Sequence, residues 1–221
     1  MDVQANLKKV LNDIPQQVSL VAVSKTKPVD MIRKVYDAGQ RDFGENKAQD
    51  MAAKYPQLPN DIRWHFIGHL QTNKVKYIAP FVYLIHAVDS LKVLKEINKQ
   101  AAKNDRVIDC LLEFHIAREE SKFGLKMDEA EAILQSDAFK QMQNIRISGV
   151  MGMATYTDDK QQVADEFHQL TLYFKELKQK YFSSAGYFKE ISMGMSGDYP
   201  IAIREGATLV RIGSKIFGER G

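Results

Sequence analysis

The amino-acid sequence predicts an α/β protein that folds as a single (β/α)₈ barrel. Eight short apolar segments, each long enough for a strand, alternate with segments of helical periodicity. The alternative architecture, an open doubly wound sheet, normally carries a glycine-rich loop directly after its first strand. The segment that follows the first strand here, "SKTKPVD", contains no glycine, so we favour the closed barrel.

The predicted elements follow one another after an opening amphipathic helix. This helix has an apolar side made of Val3, Leu7, Val10 and Leu11. Strands are predicted at residues 18–24, 42–44, 64–68, 82–89, 107–115, 145–153, 190–194 and 208–213. Helices are predicted at residues 29–38, 46–55, 71–79, 90–103, 128–137, 160–181 and 198–205, and only a short tail follows the last strand. No linker interrupts this alternation, so residues 1–221 are expected to form one domain.

Composition and charge exclude several classes of protein. Hydrophobic residues make up 44% of the 221 residues and charged residues 27%, as in ordinary soluble globular proteins. The 31 basic side chains oppose 28 acidic ones without long blocks of one sign. This balance argues against nucleic-acid binding, although it allows a local anion site.

The single cysteine and the N-terminal segment bear on where the protein works. Cys110 has no partner for a disulfide within the chain, which fits a reducing compartment. The N-terminal segment lacks the basic and apolar regions of a secretory signal, and no run of about eighteen apolar residues occurs. We therefore expect a cytoplasmic protein that binds no membrane. A monomer is a separate expectation, which these two features do not decide.

Polar and flexible residues follow nearly every predicted strand. In a (β/α)₈ barrel the C-terminal ends of the strands form one mouth, where ligands bind. The residues expected at this mouth are Lys25, Glu45, Asn46, Gly68, His69, Asn73, Asp89, His115, Met151 to Thr155, Ser192 to Ser196 and Arg211 to Ser214. The sequence therefore predicts a binding site at this mouth.

Two segments near the C-terminus suit an anion. "SMGMSGD" (192–198) and "RIGSKIFGER" (211–220) combine glycines with serines, and the first leads into a predicted helix. Glycine permits close approach of a backbone, and exposed N–H groups at a helix start attract phosphate. Barrels of this class often bind phosphate after strands seven and eight, where both segments lie. The alternative is that these glycines only form turns.

Lys25 follows the first strand and lies across the predicted mouth from the anion site. Partial burial lowers the pKa of a lysine amine, which lets it form a Schiff base with a phosphorylated aldehyde. The alternative is a solvated lysine, and Lys27 is expected to be solvated or a secondary anion contact.

Other polar and sulfur-containing residues are open to more than one interpretation. Arg211 ends an apolar strand, where a charge needs a partner, and a structural ion pair with Glu113 is one alternative. A turn separates His65 from His69, so shared metal ligation is not expected. The methionine pairs 151/153 and 193/195 either cover a flat ligand or fill the core.

Taken together, six motifs resemble one known family. They are "AVSKTKP", "FGENKAQD", "WHFIGHLQTNK", "GVMGMAT", "SMGMSGDYPIAIREGAT" and "VRIGSKIFGER". In this order they are similar to the pyridoxal phosphate homeostasis protein family (YggS/PROSC-like), and they extend from the first strand to the C-terminus. Val150 stands where leucine is expected, a swap between apolar residues. The resemblance implies a barrel similar to the alanine racemase N-terminal domain, the fold type III of pyridoxal phosphate proteins.

The resemblance also implies a role for individual residues. Lys25 would hold pyridoxal 5′-phosphate covalently as an internal aldimine, with Asn46 as a neighbour of the cofactor. Arg211 would face the pyridine nitrogen. The wall of the site and its phosphate contacts would come from Ser192, Met193, Ser196, Gly213 and Ser214.

Two functions follow from this resemblance. The first is a non-catalytic protein that holds pyridoxal phosphate for intracellular homeostasis and passes it to apo-enzymes. The alternative is an amino-acid racemase or a related enzyme. An arginine beside the ring nitrogen keeps that nitrogen unprotonated, which makes the ring a poorer electron sink. Racemases of this fold take a tyrosine base from a second domain, which we do not expect here, although Tyr156 is a candidate substitute. We favour the homeostasis protein.

Overall fold

The computed structural model describes residues 2–119 and 123–219 of the chain. Eight parallel strands form a closed barrel in the order β1 to β8, each paired with its neighbours in sequence, and β1 pairs with β8. The strands are β1 Ser19–Val23, β2 Asp42–Glu45, β3 Arg63–Phe66, β4 Leu84–Val88, β5 Ile108–Phe114, β6 Ile145–Gly152, β7 Glu190–Ser192 and β8 Leu209–Ile212. The predicted barrel and its eight strands are confirmed.

Helices surround this barrel. They are α1 Val3–Asn12, α2 Val29–Asp37, α3 Ala48–Lys54, α4 Val75–Ile78, α5 Leu91–Lys103, α6 Met127–Gln135, α7 Asp137–Lys140, α8 Lys160–Tyr181, α9 Tyr199–Arg204 and α10 Ser214–Phe217. Short 3₁₀ turns lie at Tyr55–Gln57 and Thr72–Lys74. Among the described residues, no helix combines the length and the apolar character needed to cross a lipid bilayer.

The structure differs from the predicted helices at two places. The helix predicted at 128–137 is present as α6 but ends at Gln135, because Ser136 adopts an extended backbone and its hydroxyl caps a separate helix, α7, at the amide of Phe139. The short tail after the last strand contains the four-residue helix α10, which packs against α1. Arg220, at the end of the predicted anion segment 211–220, lies outside the described residues.

The opening helix is largely as predicted. Asp2 caps it by accepting hydrogen bonds from the amides of Gln4 and Ala5 at 3.1 and 3.0 Å. Its predicted apolar side is buried at Val3, Leu7 and Val10, whereas Leu11 is 42% exposed. Val3, Leu7 and Val10 have the i, i+4, i+7 spacing of one helix face. Leu11 is one residue further along the helix than Val10, so its side chain lies at the edge of this face.

The hydrophobic core has two layers. A large cluster fills the space between the outer faces of the strands and the helices, and it includes residues from α1 through to α10. A smaller cluster fills the barrel interior, with Val21, Leu84, Ala87, Leu111, Met151 and Leu209. Because side chains alternate along each strand, every strand contributes to the outer layer with one set of residues and faces the interior with the other.

Candidate functional site

Barrel closure brings the two ends of the chain together at the C-terminal mouth. Ala22 of β1 pairs with Ile212 of β8, so Val23 and Gly213 are neighbours at the strand ends. A Cβ atom added to Gly213 would lie 3.1 Å from the carbonyl oxygen of Val23. This close approach places the loop after β8 beside the turn that carries Lys25.

Lys25 is half-buried and lies two residues beyond the end of β1. The next residue, Thr26, has φ +64°, a left-handed conformation that is unusual for a β-branched residue. Such a backbone persists only where its surroundings fix it. Here the fixing groups act on Ser24, which precedes Lys25: its amide donates to the carbonyl of Gly44 at 3.0 Å.

A buried ion pair anchors the same turn from the outside of the barrel. Glu45 has no exposed side-chain surface, and its Oε1 accepts hydrogen bonds from Ser24 Oγ at 2.5 Å and Lys54 Nζ at 2.7 Å. Lys54 Nζ also donates to the carbonyl of Ser24 at 3.0 Å. Burial raises the pKa of Glu45, while the hydrogen bonds from Lys54 and Ser24 oppose this rise.

Glu45 therefore supports the Lys25 turn and does not itself face the mouth. Its side chain points to Lys54 on α3, outside the strands. Glu45 was expected at the mouth because it ends a strand. The inward side of β2 instead belongs to Gly44, where an added Cβ atom would meet the side chains of Val21 and Ile67. A shift of one residue along a strand reverses the face.

The two predicted anion segments come together. The amide of Gly213 donates to Ser196 Oγ at 3.3 Å, which joins the loop after β8 to the loop after β7. Ser196 is half-buried and Ser214, the first residue of α10, is exposed. In the same loop the amide of Met195 donates to Asp198 Oδ1 at 2.5 Å. The segments thus supply hydroxyl and N–H groups to one small region of the mouth.

Arg211 is buried inside the barrel below this region. Its Nη1 donates to Ser192 Oγ at 2.6 Å and its Nη2 donates to the carbonyl of Gly152 at 3.2 Å. Burial lowers the pKa of Arg211 to about 10, against the opposing charges of Asp198 and Glu113. The guanidinium is thus still charged at neutral pH, and Glu113 acts on it through its charge rather than through one of these two hydrogen bonds.

Glu113 is a second buried ionisable group of the interior. Its side chain is almost fully buried, and Oε2 has no hydrogen-bond partner among the described residues. Burial and the nearby Asp89 carboxylate raise the pKa of Glu113 to about 7, although Arg211 opposes the rise. Sequence analysis considered Glu113 only as a partner for Arg211. A glutamate within the apolar strand "VIDCLLEF" was the sequence feature that could have indicated a buried carboxyl with a raised pKa.

A chain of polar side chains crosses the interior from Ser192 to the other end of the barrel. Ser192 Oγ lies 2.8 Å from His86 Nδ1, and His86 Nε2 lies 2.9 Å from His65 Nδ1. His65 Nε2 lies 2.9 Å from Oδ1 of Asp42, the first residue of β2. Burial, ahead of the nearby Arg211 cation, holds the pKa of His86 well below its usual value. The sequence analysis did not identify this chain.

Met193 and Asn46, two of the residues implied by the resemblance, lie in different surroundings. Met193 is fully buried and belongs to the core between the strands and the helices. Asn46 is half-buried and lines a cavity of about 190 Å³ on the β2–β3 side of the mouth. The cavity is bounded by Asn46, Lys47, Ala48, Gln49, Phe66, His69, Leu70, Gln71 and Lys74.

The chain is similar to alanine racemase N-terminal domains and to pyridoxal phosphate homeostasis proteins. A model of the "Alanine racemase, N-terminal domain" family matches residues 2–221. A pyridoxal phosphate homeostasis protein of Aquifex aeolicus is 39% identical over 91% of this chain and 86% of its own length. The protein of that name from Homo sapiens is 37% identical over 99% and 82%, respectively. The structure of PipY from Synechococcus elongatus PCC7942 with PLP bound is 33% identical and covers 98% of this chain and 100% of its own, with a TM-score of 0.88.

Proposed function

Because this chain belongs to the pyridoxal phosphate homeostasis protein family, we propose that it binds pyridoxal 5′-phosphate and serves the homeostasis of this cofactor. Its barrel belongs to the alanine racemase N-terminal domain family, and the proposed binding site is the C-terminal mouth of this barrel. The observation that carries the proposal is the closure of β1 on β8, which sets the turn that carries the half-buried Lys25 beside the Gly213 loop.

The chemistry of the donor groups fits this cofactor. Pyridoxal phosphate supplies an aldehyde, which bonds covalently to an amine, and Lys25 is the amine of this site. The phosphate would be held by the hydroxyl of Ser196 and by the N–H groups of Gly213 and Ser214. Arg211, which stays cationic in its buried position, would hold the pyridine nitrogen as a hydrogen-bond donor.

The remaining residues of the proposed site act less directly. Ser192 contacts Arg211 and so orients the guanidinium. Asn46 contributes from the β2 side of the mouth. Met193 would contribute through its main chain, because its side chain is buried in the outer core. The large hydrophobic cluster that joins α1 to α10 supports one cofactor-binding domain over residues 1–221.

Binding is tested by titration with pyridoxal phosphate and with unphosphorylated pyridoxal, followed by visible absorbance. We expect saturation at one equivalent of pyridoxal phosphate. Ser196→Ala should weaken pyridoxal phosphate binding about 10-fold, since a hydrogen bond to a charged group is lost, and should leave pyridoxal binding unchanged. Equal losses for both ligands would move the phosphate away from Ser196, and a lack of saturable binding would refute the proposed function.

We further propose that the protein is a carrier without catalytic turnover, with apo-enzymes as recipients. The relatives reported above are named homeostasis proteins. A cation at the position of Arg211 leaves the pyridine nitrogen unprotonated, which disfavours carbanion chemistry. The candidate base Tyr156 is 97% exposed, so it lies in solvent rather than in a protected site.

Exchange of the amino-acid α-proton with deuterated solvent measures turnover directly. For a panel of L-amino acids we expect exchange far below one event per second, because the loss of even one positioned base typically costs about 10²- to 10⁴-fold. Glu113 is an interior group whose pKa, raised to about 7, suits a base. Exchange at several events per second that is abolished by both Lys25→Ala and Glu113→Gln would support the alternative, a racemase.

A further inference from the structure

We propose that Asp42, His65, His86 and Ser192 form a hydrogen-bond relay of fixed direction, which runs from the N-terminal mouth of the barrel to Arg211 and positions this guanidinium. The four contacts that build the relay, including the bond from Arg211 to Ser192, are 2.6 to 2.9 Å long. The relay itself follows from these contacts alone. Its effect on a ligand rests on the proposed function, through the role of Arg211.

Arg211 is the first hydrogen-bond donor of the relay. A guanidinium has only donors, so Ser192 Oγ is the acceptor of the 2.6 Å bond from Arg211 Nη1. The hydroxyl of Ser192 then has its single proton left to donate, and the contact at 2.8 Å is His86 Nδ1. We assign His86 Nδ1 as the acceptor of that proton, because the opposite end of the relay is the Asp42 carboxylate, which can only accept, and it accepts from His65 Nε2.

The next two bonds, from His86 to His65 and from His65 to Asp42, have the same direction. His86 is a neutral imidazole, in agreement with its low pKa, so a ring that accepts at Nδ1 carries its proton on Nε2. His86 Nε2 then donates to His65 Nδ1, and His65 Nε2 donates to Asp42 Oδ1. Although burial acts to raise it, hydrogen bonds from Arg63 and His65 hold the pKa of Asp42 at about 2, so the relay ends on a carboxylate.

Each bond of the relay thus points from the buried cation to the carboxylate. Hydrogen bonds that are aligned in one direction polarise one another, which strengthens the hold of Ser192 on Arg211. An amide in place of the Asp42 carboxylate could donate to His65 Nε2 and reverse the tautomers of both histidines. His86 Nδ1 would then become a second donor to Ser192, in competition with Arg211.

The barrel offers a matched control at the same mouth. Asp42 pairs in register with Arg63, and Asp109 pairs in register with Arg146. Both arginines bind their carboxylate through two nitrogens, and the carboxylate side chains are 15% and 22% exposed. Asp42 differs in that it also accepts a hydrogen bond from a histidine. Asp109→Asn therefore removes an equivalent ion pair without touching the relay.

The tautomers are read by ¹⁵N NMR of histidine-labelled, ligand-free protein. We expect His65 and His86 to carry a proton on Nε2 and to accept at Nδ1 in the unsubstituted protein and in Asp109→Asn, and we expect a changed or mixed tautomer of His65 in Asp42→Asn. A ring protonated at Nδ1 for either histidine in the unsubstituted protein would overturn the relay. Unchanged tautomers in Asp42→Asn would overturn the role of the carboxylate in setting the direction.

The second readout is the affinity for pyridoxal phosphate, measured by titration with the same variants. Asp42→Asn should weaken binding roughly 5- to 10-fold, whereas Asp109→Asn should change it less than about twofold. Equal effects of the two substitutions would show that the relay does not reach Arg211. Failure of the unsubstituted protein to bind would count against the proposed function, while the ligand-free spectra would still decide the relay.

Discussion

Lys25→Ala is expected to abolish covalent capture of pyridoxal phosphate while the barrel stays folded. The lysine is half-buried in a turn beyond β1, so alanine leaves neither a large cavity nor an uncompensated charge in the core. The turn itself is held by Ser24, Glu45 and Lys54, none of which the substitution removes. Phosphate contacts remain, so weak non-covalent binding should persist.

Reduction with borohydride followed by peptide mapping locates the attached lysine. The matched control is Lys27→Ala, because Lys27 lies two residues away and its Nζ donates to the carbonyl of Glu219 at 2.9 Å. We expect full labelling of the peptide that contains Lys25 in this control and none in Lys25→Ala. A label on Lys27, with Lys25 unmodified, would show that Lys25 is not the nucleophile.

Glu113→Gln is expected to stabilise the protein above pH 7. Folding raises the pKa of Glu113 from an ordinary 4.5 to about 7, so the native state binds more protons than the unfolded state between these values. Stability contributed by this group therefore falls as pH rises from about 4.5 to 7, and the full penalty is present above pH 7. At about 1.4 kcal/mol per pKa unit, the penalty reaches roughly 3 kcal/mol.

Urea unfolding at several pH values between 4 and 8 measures this penalty. The variant should match the unsubstituted protein near pH 4, where Glu113 is protonated in both states, and exceed it by up to about 3 kcal/mol at pH 8. Asp158→Asn, which removes an exposed carboxyl, serves as the control. If Glu113→Gln shows the same pH dependence as this control, the raised pKa is wrong.

The barrel could be predicted from the sequence because its signals are local. Short apolar strands that alternate with helical patterns require no knowledge of which strand pairs with which, and the rule that ligands bind at the C-terminal mouth then selected Lys25, Ser196 and Gly213. The structure brings the loops of Ser196 and Gly213 into contact and sets the Gly213 loop beside the Lys25 turn. Their roles toward a cofactor stay predictions.

The features that the sequence did not reveal depend on register and face. Contact between His65 and His86 requires the relative positions of β3 and β4, which are set by pairing across strands rather than by local pattern. Glu45 and Met193 stand at strand ends, where either face was open, and both proved to point outward. Ser136 ends α6 because its backbone is extended, and the periodicity of apolar residues does not report such a local backbone conformation.

The pairing of β1 with β8, which closes the barrel, also has a consequence for folding during synthesis. Strand β8 is synthesised after the other seven strands, so a nascent chain that has not yet released it presents β1 with an unpaired edge. In such a chain the turn of Lys25 lacks the neighbouring Gly213 loop. At the proposed site, a reactive aldehyde would therefore meet a complete pocket only on a finished barrel, and unfinished chains on the ribosome would not compete for the cofactor.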